Sequence, residues 1–299
     1  MKAENRYNLS KRVSVVGLIV NIALAIAKII VGFLFRSKAL VADGFHSVSD
    51  IASTLVVMFS MKISELPPDK EHPYGHGKAE SIGTKILGII LILTGFGLAK
   101  GALENIFSAE IAIPGKLVLW VAILSIISKE LLYRYTIKVG RMIDSKAIMA
   151  DAHHHRSDAF SSIAALIGAG GALLGYPVLD PLAGLVVALF IIKLGFEVLL
   201  DAIDELMDAV PSQDKMEEIK DQIESLDNII DIGDIKLRSY GPRFFVDLEV
   251  VVADDLTVVE GHKVAVKVRD KIKELHPSVE EVLVHIDPES VYKGSNNSG

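Results

Sequence analysis

Ala42-Asp43-Gly44-Phe45-His46-Ser47-Val48-Ser49-Asp50 decides the fold, because it puts carboxylates and an imidazole inside Ala39 to Met61, a run otherwise apolar enough to cross a bilayer. An ionisable group at the centre of a membrane helix costs roughly 2.5–3.5 kcal/mol even on lenient scales, so polar groups there line a pathway or meet partners. A second such stretch, His153-His154-His155-Arg156-Ser157-Asp158, falls within the apolar run Lys146 to Leu174. His46 and Asp50 are four residues apart, as are His154 and Asp158, and residues so spaced share a helix face. Each helix then presents one nitrogen and one oxygen ligand.

Working outward, further apolar runs lie at Val13 to Phe35, Ile82 to Phe107, Leu117 to Tyr135 and Leu179 to Ile203. Each approaches the ~20 residues that span the hydrocarbon as a helix. Hydrophobic residues make up 51% of the 299 and aromatics only 6%, which favours helices packed through small residues over an aromatic-girdled barrel. The first run is too long and too late for a cleavable signal, and no small-residue cleavage site follows it. The expectation is an α-helical membrane protein with six transmembrane helices over residues 1–208, a small C-terminal α+β domain over 209–290 and a disordered tail over 291–299.

Basic residues set the orientation, since they collect in short cytoplasmic segments. One side holds Lys2, Arg6, Lys11, Arg12, Lys62, Lys70, Lys78, Arg134, Lys138, Arg141 and Lys146; the other holds Arg36, Lys38, Lys100 and Lys116. Both termini are therefore expected in the cytoplasm. Beyond Leu200 the chain turns polar, and its acidic excess, part of a net charge of −7, collects there. The pattern predicts helix (Asp214 to Leu226), strand (Ile229 to Leu237), a turn at Gly241-Pro242, strand (Phe244 to Val252), helix (Val258 to Leu275) and strand (Val279 to Ile286), an αββαβ order.

The spans carrying His46-Asp50 and His154-Asp158 run oppositely, and each pair lies roughly 10–18 Å deep at 1.5 Å per residue. Two imidazoles and two carboxylates meeting there make an N2O2 set suited to Zn2+, with Fe2+, Co2+ or Cd2+ feasible; four carboxylates would favour a harder ion. With no cysteine, thiolate sites and disulfides are excluded. The plainer reading of each His-Asp pair is a hydrogen-bonded couple between helices, and its repetition at one spacing argues against that. Asp43 is either a relay at the outer vestibule or an interface acid. His153 and His155 point away from the His154 face as lining, entry or structural groups. Asp69, His72 and His76, spaced by three and four, form a loop cluster that by itself reads equally as solvated polar groups. In the tail, His285 and Asp287 alternate on one strand, His262 opens a helix and Asp247 lies mid-strand, a set able to converge on a metal or simply to face water.

Taken with His72-Pro73-Tyr74-Gly75-His76-Gly77-Lys78-Ala79-Glu80, the two membrane stretches resemble the cation diffusion facilitator family over almost the whole chain. The resemblance implies a homodimeric cell-membrane exporter that exchanges cytoplasmic metal for protons at His46, Asp50, His154 and Asp158. It further implies a second metal site at Asp69, His72 and His76, and a metallochaperone-like cytoplasmic domain with metal ligands at Asp247, His262, His285 and Asp287. Lys78 and Glu80 are expected in interhelical or dimer charge contacts. HxxxD in both spans is similar to the zinc branch, the manganese branch tending to DxxxD; Asp247 departs from members with His there, and Gly233 lies near where another His occurs. Fe2+, Co2+, Cd2+ or Mn2+ transport and a passive channel are the alternatives. An enzyme is not expected, since no HExxH occurs and four ligands leave no open position. A sensor or store working through its tail makes six spans redundant, and nothing points to nucleic acid.

Overall fold

The computed structural model describes residues 3–64, 66–108, 110–142, 146–211, 213–224, 226–241 and 243–296. Six long helices come first: α1 (Ala3–Leu34), α2 (Lys38–Ser64), α3 (Ala79–Ile106), α4 (Leu117–Met142), α5 (Lys146–Leu173) and α6 (Leu179–Leu206). The remainder is α7 (Gln213–Glu224), β1 (Asp231–Tyr240), β2 (Arg243–Val252), α8 (Val258–Leu275), β3 (Val279–Pro288) and α9 (Glu289–Asn296). The tail expected to be disordered from residue 291 therefore begins inside a helix, and its last three residues, with Pro242 of the expected turn, lie outside the described residues. Two compact units form, Met1–Val56 with Ile86–Leu199, and Val57–Lys85 with Leu200–Gly299.

Among the described residues, Arg12–Leu34 of α1, all of α3 and all of α6 are long and apolar enough to cross a membrane. α2, α4 and α5 have the length but carry ionisable groups: Asp43 and Asp50 in α2, Lys129, Glu130 and Arg134 in α4, Arg156 and Asp158 in α5. The ionisable groups expected inside α2 and α5 are thus joined by those of α4, and α1, α3 and α6 are the more apolar helices. Side chains such as Ile19, Leu93, Trp120 and Phe190 are exposed, as surfaces against lipid require.

Local chemistry sets the start of α2. Ser37 Oγ accepts from the Leu40 N–H (3.1 Å) as an N-cap and donates to Asp180 Oδ1 (2.6 Å), while the Lys38 N–H donates to Asp180 Oδ2 (2.6 Å). A carboxylate at the start of α6 thereby satisfies first-turn donors of the helix that carries His46 and Asp50. Helices α3 and α6 approach through small residues. A Cβ on Gly88 would lie 2.9 Å from the Leu199 backbone N and 3.0 Å from the Gly195 carbonyl O. Gly97 on the same helix has nothing within 4 Å of its Cβ position.

In the second unit, β1, β2 and β3 form a three-stranded sheet in that order, β1-β2 antiparallel and β2-β3 parallel across the α8 crossover. Alternation puts Val246, Leu248, Val250 and Val252 on one face, where α7 (Ile219, Ile223) and α8 (Val264, Val268, Ile272) close the core. Thr257 and Glu260 form a reciprocal capping box that starts α8. The opposite sheet face carries Asp247, Glu249, His285 and Asp287, with Glu249 opposite His285.

Gly88→Val is expected to lower the melting temperature of the detergent-solubilised chain, by the equivalent of about 1–3 kcal/mol or more, because α6 backbone occupies the space. Gly97→Ala is expected to leave it unchanged or raise it by roughly 0.5–1 kcal/mol through helix propensity. Equal losses at both positions would contradict the α3-α6 packing.

Candidate metal centre

The helices that bear the site are held by two buried ammonium groups. Lys28 of α1 is fully buried; its Nζ lies 3.0 Å from Asp43 Oδ2 and donates to Ser47 Oγ (3.1 Å) and Ser162 Oγ (3.0 Å). Asp43 Oδ1 accepts from Ser161 Oγ (2.6 Å), and Ser162 Oγ lies 3.0 Å from Ser125 Oγ. On α4, Lys129 is also fully buried and donates to Asp158 Oδ2 (2.6 Å). One polar network thus joins α1, α2, α4 and α5, and Asp43 sits inside it in an ion pair, lining neither of the cavities described next.

His46, Asp50 and Asp158 each offer a ligand atom within 4.8 Å of one another. His154 Nε2 is 3.9 Å from Asp50 Oδ1 and 3.7 Å from Asp158 Oδ1, but its side chain is 56% exposed and stands at the rim, outside that close group. Among the described residues, His46 Nδ1 and Asp50 Oδ2 are buried with no hydrogen-bond partner. Such orphaned donor atoms are unusual in a purely structural couple and are what a cation between them would satisfy. A cavity of about 510 Å3 reaches His46, Asp50, His154 and Asp158 alongside Phe160, Phe190, Lys193 and Glu197. A second, of about 230 Å3, reaches Asp50 and His154 from Ser14, Asn21, Thr54 and His155. His153 is exposed beside the Tyr133 ring, 5.8 Å between centroids, and His155 is buried against α1 near Gly17.

Asp69, His72 and His76 also converge within 4.8 Å, with His72 Nδ1 3.3 Å and His76 Nε2 3.5 Å from the Asp69 carboxylate. The turn that gathers them uses Gly75 at φ +92, where a side chain is disfavoured. Asp69 Oδ1 accepts from the His72 N–H (2.6 Å) and the Glu71 N–H (2.9 Å), and these hydrogen bonds hold its carboxyl below the usual carboxylate range. Lys78 pairs with Asp208 at 2.8 Å. In the tail, Asp247 and His285 line one groove of about 160 Å3 with Asp234, Lys236 and Glu249. His285 Nε2 is 3.2 Å from Asp287 Oδ1, whereas His262 is exposed on α8, which packs against the other sheet face. Within one chain these four do not form a single cluster among the described residues.

Lys129, Ser125, Ser161 and Ser162 were not singled out by the motifs. The signal that finds Lys129 is its place among the buried α4 positions Ala122, Ser125, Lys129, Leu132, Thr136 and Val139, a regular alternation of three and four.

Residues 14–207 match the cation efflux transmembrane domain, and residues 211–289 match the cation efflux protein cytoplasmic domain. The chain is 38% identical to an uncharacterized transporter of Methanocaldococcus jannaschii, over 92% of this chain and 95% of the relative. It is 35% identical to the manganese efflux system protein MneP of Bacillus subtilis, over 96% of this chain and 98% of the relative. A solved structure of CzrB is 24% identical over 26% of this chain and 96% of its own, with a TM-score of 0.25.

Asp43→Asn is expected to destabilise the chain by about 3–5 kcal/mol, since it leaves the buried Lys28 ammonium uncompensated. The double variant Lys28→Met, Asp43→Leu is expected to recover most of that loss. Thermal unfolding in detergent measures both, and additive losses in the double variant would show that the pair is not an energetic unit.

Proposed function

This chain belongs to the cation diffusion facilitator family, and on that premise we propose that it exports a divalent transition-metal ion, zinc first, in exchange for protons. The observation that carries the reading is the convergence of His46, Asp50 and Asp158 in a largely buried pocket where His46 Nδ1 and Asp50 Oδ2 have no partner among the described residues. His154 completes an N2O2 set by swinging inward from the rim. The work is vectorial, and no covalent chemistry is required. An imidazole ligates only when neutral, and its ordinary pKa of about 6.5 lets protons compete with metal near physiological pH. Metal entering from the cytoplasm displaces protons; protons arriving from outside release it. Both termini face the cytoplasm, and the chain works as a homodimer. Asp69, His72 and His76 hold a second, solvent-open ion, and Asp247 and His285 contribute to a third site completed by the partner subunit.

A manganese exporter is the second reading. The close group offers two carboxylate oxygens to one imidazole, a harder set than four converging N2O2 ligands, and the MneP relative is named a manganese efflux protein.

The full chain in liposomes, loaded with zinc or manganese under an imposed pH gradient, tests these readings. Zinc flux is expected to follow the gradient, and Asp50→Asn or Asp158→Asn to reduce it to the level of protein-free vesicles. Flux indifferent to the gradient establishes a channel, faster manganese establishes the second reading, and no metal flux at all removes the proposal. His46→Asp is expected to shift preference toward manganese. At the loop, zinc bound by an Asp158→Asn chain is expected to leave on acidification before about pH 4, because protons compete with metal for imidazole nitrogen. Asp69, held below the usual range by the His72 and Glu71 N–H groups, stays ionised there. Retention of zinc to pH 4 would place it on carboxylates instead.

A further inference from the structure

The two buried lysines differ in what holds them. Lys28 has three contacts, Asp43, Ser47 and Ser162, none of them in the close metal group, so its ammonium is anchored on groups outside that group. Lys129 has a single hydrogen bond among the described residues, to Asp158 Oδ2, and Asp158 does belong to that group. Lys129 is 0% exposed, and on the buried α4 seam it lies between Ser125 and Leu132, yet the one hydrogen bond its ammonium makes among the described residues is to Asp158. Beside it, the Ser125-Ser162 contact keeps α4 and α5 in register without contributing charge.

Charge balance makes the difference matter. Asp50 and Asp158 together bring two negative charges into a site shielded from water, a costly arrangement when empty. The Lys129 ammonium cancels one of them at 2.6 Å. When a divalent ion arrives, the same carboxylate is claimed by two cations, and like charges a few ångströms apart in a low-dielectric pocket repel strongly. A flexible four-carbon stem with one hydrogen bond is the cation able to yield.

We propose that Lys129 is the resident cation of the empty site: its ammonium occupies Asp158 until a divalent ion displaces it, and it returns as the ion leaves. The inference rests on reading His46, Asp50 and Asp158 as the cargo site. Two consequences follow from exchange rather than simple filling. The site never presents a bare pair of buried carboxylates, and every ion is bound less tightly than its ligands alone allow, which speeds release. Lys129 is thus an affinity-setting residue rather than a ligand.

The test is calorimetric titration of the full chain in detergent with Zn2+, then with Mn2+, alongside liposome flux, for the parent, Lys129→Gln, Lys129→Arg and each combined with Asp158→Asn. Lys129→Gln keeps a hydrogen-bond donor to Asp158 and removes the charge. It is expected to bind metal about tenfold more tightly or better and to turn over more slowly, while Lys129→Arg stays near the parent. The affinity gain is expected to vanish in the Asp158→Asn background. A residue that merely positions Asp158 would weaken both binding and flux when changed. Unchanged or weaker binding in Lys129→Gln therefore overturns the proposal. If that variant is unstable without metal, its recovery and raised melting temperature in zinc-containing buffer support the exchange, and failure in both buffers overturns it. Zinc held by the loop group remains in Asp158→Asn, so the comparison is of the binding that this change removes: should Asp158→Asn bind as many ions as the parent and as tightly, the cargo-site reading itself fails, a result distinct from a Lys129→Gln that leaves an Asp158-dependent affinity untouched.

Discussion

An ammonium group carried into an apolar helix bundle must meet an anion there, and this constraint organises the first unit. Lys28 meets Asp43 and Lys129 meets Asp158. Because Asp43 lies one turn before His46 and Ser47 on the same helix, the Lys28 contacts fix the rotation of α2 and turn His46 and Asp50 toward α5. Asp158 is likewise held from α4, so the two helices that carry His46, Asp50 and Asp158 are each pinned by a neighbour that carries a cation. Breaking a buried pair leaves an uncompensated charge, so these contacts specify the arrangement even where an apolar pair would be as stable.

The six helices consequently divide their tasks. α3 and α6 are apolar, expose large aliphatic and aromatic side chains, and approach through glycines whose missing Cβ atoms let backbone meet backbone. α2, α4 and α5 are less apolar because their ionisable groups are used against one another. α1 joins the two classes: its outward side chains, such as Ile19 and Ile26, are exposed, while Lys28 reaches inward. The second unit solves a different problem. Its sheet closes one face with α7 and α8 and leaves the other open, and that open face is where Asp247 and His285 share a groove with Asp234 and Glu249.

Much of this was legible in the amino-acid order. Apolar runs located the six helices, since length and composition suffice for an element that buries its own hydrogen bonds, but α1 begins ten residues before its run and α4 ends seven after its own, where the helices continue through polar residues. The bounds of α8, Val258 to Leu275, are legible in the helical spacing of its apolar residues, and the capping box of Thr257 and Glu260 is what starts the helix there. The i,i+4 spacing of His46 with Asp50 and of His154 with Asp158 placed each pair on one helix face, because helical periodicity alone decides which residues lie together on one helix. Asp69, His72 and His76 were legible for a similar reason, being joined by a short turn.

What lay between helices was not. Nothing in the order of residues states that His154 stands at the rim while Asp158 is buried, that Gly97 faces open space while Gly88 meets α6, or that α8 takes His262 to the sheet face opposite His285. Those facts depend on the rotation and approach of packed elements. Lys129 shows the limit most clearly. The sequence by itself determined that a lysine interrupts an apolar helix, a placement that demands an anion; only the tertiary structure decided that the anion is Asp158, because a pairing between helices is set by packing, which local periodicity does not encode.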